Sequence, residues 1–346
     1  MAKQIKKELV KNLIVFIVTI ILILLLAEIL TRVFVEEKPV TDVWVYSGNF
    51  EQGFGLTPNF QGLFFGKEVF INSMGFRDKE YTINKLENTL RIAVVGDSIT
   101  FGYGVVQNET YPKLLEQKLN DRSKNKINYE VMNFGVPGYN TVQEYEILKD
   151  KVMNYSPSIV IMGFFFNDAE EKNSPENKNI DSNLVENIFL LEKYLQKKSR
   201  FYTYIKFKLN ARFFMETFSN KVTFPYFVGT FKDNSSAFNS FENALEGIGN
   251  LTKEEGIPVL FVMHPLLHHS TINMDYDSPL FEIHNKVRKL AEKQGFIVIE
   301  LFDYVKDKKL YDLRLKSMYD YHPDVLYYDT AAEAIYKKLM EEKLIS

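Results

Sequence analysis

Cysteine is absent from this 346-residue chain. That excludes thiolate nucleophiles, disulfide staples and cysteine-ligated zinc together. A basic surplus is missing too: 42 Lys and Arg stand against 45 Asp and Glu, for a formal net charge of −3. No Lys/Arg-rich block lies beside aromatic residues as a base-stacking platform requires, so nothing supports nucleic acid as a partner. There is no internal repeat and no low-complexity tract. What remains is ordinary for a globular chain: 46% hydrophobic and 25% charged residues, with 29 Phe and 20 Tyr against one Trp. The length allows one large domain with appendages.

Long apolar runs are also scarce, with one exception at the N-terminus. MAKQIKKELVKN carries Lys3, Lys6, Lys7 and Lys11 against Glu8, and NLIVFIVTIILILLLAEIL follows. From Leu13 to Leu30 the only charge is Glu28, and Arg32 stands one helical turn on, where it can pair with it. At 1.5 Å per residue this run spans roughly 27 Å, enough for a thin hydrocarbon core. The A-x-A pattern of a cleaved signal peptide is missing, so the segment reads as an uncleaved anchor. Lysines ahead of it hold that end in the cytoplasm, which puts the remainder of the chain outside. Residues 1–35 are thus assigned to a cytoplasmic tail and membrane anchor through residues 13–30. Residues 36–88 form a small irregular collar of short β-prone runs and turns. Within it Arg77 is read as a packing residue.

From Leu90 a regular alternation begins. RIAVVG, NYEVMNFG, SIVIMGFFF, PVLFVMH and FIVIELF read as strands, and YPKLLEQKLND, TVQEYEILKDKVMNY, FENALEGIGNLTKEEG and PLFEIHNKVRKLAEKQG as helices between them. The last segment, TAAEAIYKKLMEEKL, opens with Thr330 and Glu333 at the spacing of a capping box. Five strands alternating with helices predict an α/β domain over 89–346, with a mostly parallel sheet covered on both faces. Residues of about 170–234 break the alternation as an insertion, with a polar loop, amphipathic helical stretches and an aromatic-rich tail. In open parallel sheets, sites form beyond the carboxyl ends of the strands.

Four short stretches stand at such ends. GDSIT offers Ser98 after the first strand; NFGVPGYN offers Gly135 and Gly138 after the second. GFFFND offers Asn167 after the third, and YDYHPD offers Asp320 and His322 ahead of the final helix. A serine hydroxyl is a weak nucleophile until a base takes its proton, and His322 suits that task. A carboxylate accepting the imidazole's other N–H fixes its tautomer; Asp320 is the candidate. The Ser98 and Gly138 amides and the Asn167 side chain can donate to an oxyanion, with glycine at 138 leaving room for close approach. Taken singly, each has a plainer reading: Ser98 as a helix cap, Asn167 as a turn residue, His322 as a loop histidine. Asp97 and Asp168 read as turn-stabilising residues.

These blocks resemble the SGNH (GDSL) hydrolase family, named for its Ser, Gly, Asn and His, over roughly Leu90 to Ile345. The lead-in LTPNF…INSMGFRD also resembles membrane-anchored bacterial members. The resemblance implies a three-layer α/β/α sandwich of flavodoxin-like type and acyl-ester chemistry without metal or organic cofactor. It also implies catalytic Ser98, His322 and Asp320, with an oxyanion hole of Ser98, Gly138 and Asn167. Two departures stand out. Position 319, where the family's acid usually lies, is Tyr; Asp320 sits two residues before His322, a spacing that still shares one side of an extended loop. Three phenylalanines separate Gly163 from Asn167, where the family usually has one residue.

The functional expectation is a membrane-anchored, extracytoplasmic serine esterase acting on acyl esters, with O-acetylated envelope carbohydrate as substrate. Two alternatives remain open at this level: an O-acetyltransferase on the same site, and a non-catalytic glycan-binding or assembly protein on the same scaffold. HPLLHH, with His264, His268 and His269, lacks the glutamate of a zinc motif, and Pro265 breaks the helix that motif needs. These histidines are read as strand-end residues lining the acyl or sugar pocket.

Overall fold

The computed structural model describes residues 2–35, 43–46, 53–64, 67–123, 127–170, 191, 194–195, 198–205, 223–267, 274–315 and 322–345. The backbone packs as two units, Met1–Thr41 with Lys178–Phe214, and Asp42–Asn177 with Met215–Ser346.

In the first unit the helix Ala2–Phe34 is long and apolar enough to cross a membrane, with a mean hydropathy of 3.3 over its best window and none of that window buried. Arg32 does pair with Glu28, at 2.7 Å. Glu28 has further partners the spacing did not suggest. It accepts from Ser199 Oγ at 2.7 Å and from the Arg200 and Phe201 amides at 3.0 Å. The carboxylate thus satisfies the open amides of a short helical stretch in the insertion.

The second unit is built on a five-stranded, wholly parallel sheet. Two antiparallel pairs come first, β1 (Trp44–Tyr46) with β2 (Phe54–Leu56) and β3 (Gln61–Phe64) with β4 (Lys67–Phe70). The sheet follows with β5 (Thr89–Val95), β6 (Asn128–Asn133), β7 (Ile159–Phe164), β8 (Val259–Met263) and β9 (Ile297–Glu300), in the order β6-β5-β7-β8-β9. The inner strands β7 and β8 are buried along their whole length, as cover on both faces requires; in β5, Ile92 to Val95 are wholly inaccessible. The chain turns one way from β5 to β6 and the other way to β7. Right-handed crossovers then place Tyr111–Arg122 on one face, packed with the final helix, and Thr141–Ile147, Ser236–Glu254 and Pro279–Lys293 on the other. This reversal beside β5 creates the crevice in which such folds keep their sites.

The exposed edge of β6 is closed by side chains. The amides of Tyr129, Val131 and Asn133 donate to Asn120 Oδ1, Glu116 Oε2 and Asp78 Oδ2 at 3.0, 2.8 and 2.8 Å. An edge so occupied cannot template another strand. Burial raises the Asp78 carboxyl above its usual range, against the pull of Lys113 Nζ at 2.8 Å.

One boundary differs from expectation. The closing helix runs Val325–Glu341 and is capped by Asp324, whose side chain accepts from Tyr327 N. Thr330 lies inside it, bonding back to Leu326 O at 2.8 Å, and Glu333 pairs with Arg122 at 2.9 Å instead of closing a capping box.

Candidate active site

At the end of β5, Gly96 and Asp97 turn the chain into the four-residue helix Ser98–Phe101. The cap of that helix is Asp97, not Ser98: Asp97 Oδ1 accepts from Ile99 N at 2.8 Å. Because the aspartate satisfies the helix end, the half-buried Ser98 hydroxyl is free to point elsewhere. It meets His322 Nε2 at 2.8 Å, with Asp97 Oδ2 a looser neighbour at 3.4 Å.

His322 reaches the serine from a segment braced against Leu313–Leu315. Leu315 N donates to His322 O at 2.9 Å, and Asp324 N to Leu313 O at 2.8 Å. Asp320 lies outside the described residues, as do His268 and His269.

Two bonds join the end of β6 to this turn. Val136 N donates to Gly96 O at 3.0 Å, and Asn133 Nδ2 to Thr100 O at 2.9 Å. Asn167, in the 3-10 turn Phe166–Ala169, sends Nδ2 to Tyr139 O at 3.3 Å, next to Gly138. An amide nitrogen carries two hydrogens, so one remains for a substrate. Among the described residues, neither the Ser98 nor the Gly138 backbone N–H has an acceptor.

The two glycines of NFGVPGYN sit in different surroundings. Gly138 sits at φ +80°, and a Cβ there would meet nothing nearer than Phe54 Cζ at 3.9 Å. Its glycine answers to backbone conformation, not to crowding by the protein. Crowding by the protein belongs to Gly135, where a Cβ would lie 2.2 Å from Phe101 N.

The extra phenylalanines before Asn167 are core. Phe164 and Phe166 are inaccessible, Phe164 against Phe241 and Phe261, Phe166 stacked on His284 at 4.9 Å. Asp168 Oδ2 accepts from Phe165 N at 3.1 Å and so holds the turn that presents Asn167. His264 does not line a pocket. It is buried against Tyr327, whose hydroxyl lies 2.9 Å from its Nδ1, and burial drops its pKa to about 3, so it is neutral.

Two contributors carried no signal in the sequence. Tyr103 stacks on the His322 imidazole, centroids 4.0 Å apart and planes at 17°. Asn133, besides holding Thr100 O, accepts from Gly135 N at 2.9 Å and so ties the second strand end to the serine helix. Arg77, read as a packing residue, does more. It is inaccessible and donates to Gly102 O, Val105 O and Phe101 O at 2.6, 2.7 and 3.2 Å. Burial lowers its pKa to about 10, which leaves it charged at neutral pH. The guanidinium caps the carbonyl end of the serine helix, where a cation is favoured. Arg77→Met is expected to lower unfolding free energy by about 3 kcal/mol, since at least two buried carbonyls lose their donor. Urea melts of wild type and variant measure it.

Residues 94–329, more than half of the chain, match the GDSL-like Lipase/Acylhydrolase family. The chain belongs to that family. Membership makes this GDSL-like protein an enzyme that acts on ester bonds. No curated protein matches it by sequence. Solved structures of similar fold include a lipase/acylhydrolase from Enterococcus faecalis, 16% identical, covering 73% of this chain and 96% of that one at a TM-score of 0.43. An acetylxylan esterase from Geobacillus stearothermophilus is 12% identical, covering 72% and 94% at 0.43. A psychrotrophic esterase from Pseudoalteromonas sp. is 12% identical, covering 75% and 100% at 0.43. At these identities the likeness concerns the fold alone.

Proposed function

We propose that this GDSL-like protein is a membrane-anchored serine esterase whose nucleophile is Ser98 and whose general base is His322. The observation that carries the reading is the 2.8 Å contact between Ser98 Oγ and His322 Nε2, with Asp97 relieving the serine of any capping duty. His322 takes the hydroxyl proton as Oγ bonds to the ester carbonyl carbon. The carbonyl oxygen becomes an oxyanion held by the Ser98 and Gly138 amides and by the second hydrogen of Asn167 Nδ2. Collapse of this intermediate breaks the C–O bond, and His322 returns the proton to the leaving alcohol. Water, deprotonated by the same imidazole, then releases the acid and regenerates Ser98. Asp320 is assigned the acceptor role toward the other imidazole N–H.

The helix Ala2–Phe34 is assigned to the membrane, lysine-rich end inside, which sets the esterase domain on the outer surface. Anchored there, it faces envelope polysaccharide, and O-acetyl groups on that material are the substrate the placement favours. A fluorophosphonate probe tests the chemistry: it should label the detergent-solubilised full chain on the peptide containing Ser98. A wild-type protein that is neither labelled nor active on p-nitrophenyl acetate would refute the reading.

Asn167→Ala is expected to lower kcat by about 10²- to 10³-fold through loss of one oxyanion donor, with KM little changed. Steady-state kinetics on p-nitrophenyl acetate provide the check.

A further inference from the structure

Glu28 is the one charge inside the apolar run from Leu13 to Leu30, and each of its carboxylate oxygens takes two donors. Oε1 accepts from Arg32 Nε at 2.7 Å and Arg200 N at 3.0 Å. Oε2 accepts from Ser199 Oγ at 2.7 Å and Phe201 N at 3.0 Å. An ionised carboxylate is tolerated in apolar surroundings only when it is paired and hydrogen-bonded, and here three of the four donors come from the insertion. The contact is reciprocal. Arg32 Nη2 donates to Lys198 O at 3.1 Å, and Arg200 Nη1 donates to Arg32 O at 3.1 Å. Thr31 and Thr203, each about a helical turn beyond these contacts, are buried.

The level of this contact along the helix Ala2–Phe34 decides what surrounds it. Ile29, Leu30, Val33 and Phe34 lie beyond Glu28 and are 57%, 46%, 66% and 76% exposed. Apolar surface therefore continues for about 9 Å past the carboxylate, at about 1.5 Å per residue. A helix that crosses a bilayer keeps such surface in lipid, so the seated part of the insertion stands at the depth of the outer interface.

Leu191, Tyr194, Lys198 and Ile205 recur at i, i+3, i+7 and i+14, the spacing of one helical face. All four are exposed, Leu191 at 58%, Tyr194 at 59% and Ile205 at 37%. Helical bonds run on both sides of Ser199: its amide donates to Leu195 O at 2.8 Å, and Thr203 N donates to Ser199 O at 3.2 Å. Ser199, which meets Glu28, falls outside the exposed stripe. Apolar side chains, a tyrosine and one lysine able to snorkel suit the boundary between lipid and water.

We propose that this stripe is a second membrane contact, lying in the outer lipid interface with Leu191, Tyr194 and Ile205 against phospholipid and seated there by Glu28. The partner is the bilayer itself. The inference rests on the assignment of Ala2–Phe34 to the membrane and is independent of the chemistry of Ser98. It also accounts for an acid in an otherwise uncharged run: the carboxylate is the seat on which the insertion docks.

The absence of cysteine makes the test clean, because a single introduced thiol carries a nitroxide without background. Leu191→Cys, Tyr194→Cys and Ile205→Cys are labelled one at a time in the full chain, reconstituted in nanodiscs of phosphatidylcholine and phosphatidylglycerol. Collision of the label with lipid-soluble oxygen is compared with collision with a water-soluble nickel chelate. Ile20→Cys, in the middle of the apolar helix, is the lipid reference. All three stripe labels are expected to meet oxygen several-fold more often than the chelate. Glu28→Leu, which removes every acceptor at the seat, should reverse that preference at all three and leave the label at position 20 unchanged. Glu28→Ala provides the same measurement if the leucine variant is not recovered folded. Stripe labels that favour the chelate in the wild-type background overturn the proposal, as do labels shielded from both reagents, which would place the stripe against protein. Labels that stay in lipid in the Glu28 variants overturn the seat. A label at position 20 that meets the chelate overturns the membrane assignment itself, and this inference with it.

Discussion

Ser98→Ala is expected to cut turnover of p-nitrophenyl acetate by about 10⁴-fold or more and to abolish fluorophosphonate labelling, with little change in stability. The hydroxyl removed is half-buried and touches His322 Nε2 at 2.8 Å and Asp97 Oδ2 at 3.4 Å. A hydrogen bond of that kind contributes about 1 kcal/mol to folding, so the melt should barely move while activity collapses. His322→Ala should behave alike. The double variant should be no worse than either single one, because nucleophile and base act as one unit and the second loss removes nothing further. Additive losses would mean the two side chains work separately, and a labelled, active Ser98→Ala would remove serine chemistry from this site.

The second large effect is structural. Gly135→Ala is expected to cost more than about 3 kcal/mol of stability and to take activity with it. A Cβ at 135 would stand 2.2 Å from Phe101 N, 2.6 Å from Thr100 C and 2.8 Å from Phe101 Cα. Those are backbone atoms of the helix that carries Ser98, and no rotamer change relieves them. The helix cannot retreat without breaking the Asn133 bridge, which holds Thr100 O at 2.9 Å and Gly135 N at 2.9 Å. Gly138→Ala is the internal control. With open space around it and only a positive φ to satisfy, it should cost about 1–2 kcal/mol. Urea titration of the three proteins measures the ranking, and equal melts for both alanine variants would disprove the close-approach argument.

The contrast between these glycines shows where reading the chain stopped. Both sit in NFGVPGYN after an apolar strand; the motif singled out the second for an oxyanion's approach and gave no sign that the first packs against backbone. Which of them touches another backbone depends on how the loop after β6 lies over the helix after β5, a relation between segments more than thirty residues apart. The closing helix makes the same point. Thr330 and Glu333 have the spacing of a cap, yet Val325 and Leu326 extend the helix by a further turn beyond them. Those two are 38% and 54% exposed while Tyr327 and Tyr328 beside them are buried, and a run of four apolar residues in sequence shows no helical period. His264, placed in a pocket by its position after β8, turns inward to Tyr327 on that same helix.

What the sequence alone determined was the set of strands, the membrane-length helix, and the Ser98, Asn167 and His322 stretches at strand or helix ends. Apolar runs, turn residues and short motifs are local, and local patterns dictate local structure. Tertiary structure decided the rest: that Asp97 takes the cap and leaves Ser98 to His322, that Arg77 grips the far end of the serine helix, and that Tyr103 lies flat on an imidazole more than two hundred residues away. Those contacts follow from the reversal of strand order beside β5, which gathers the carboxyl ends of β5, β6 and β7 around one crevice. No segment carries that reversal in its own residues, because it arises from how sheet and helices share a common core.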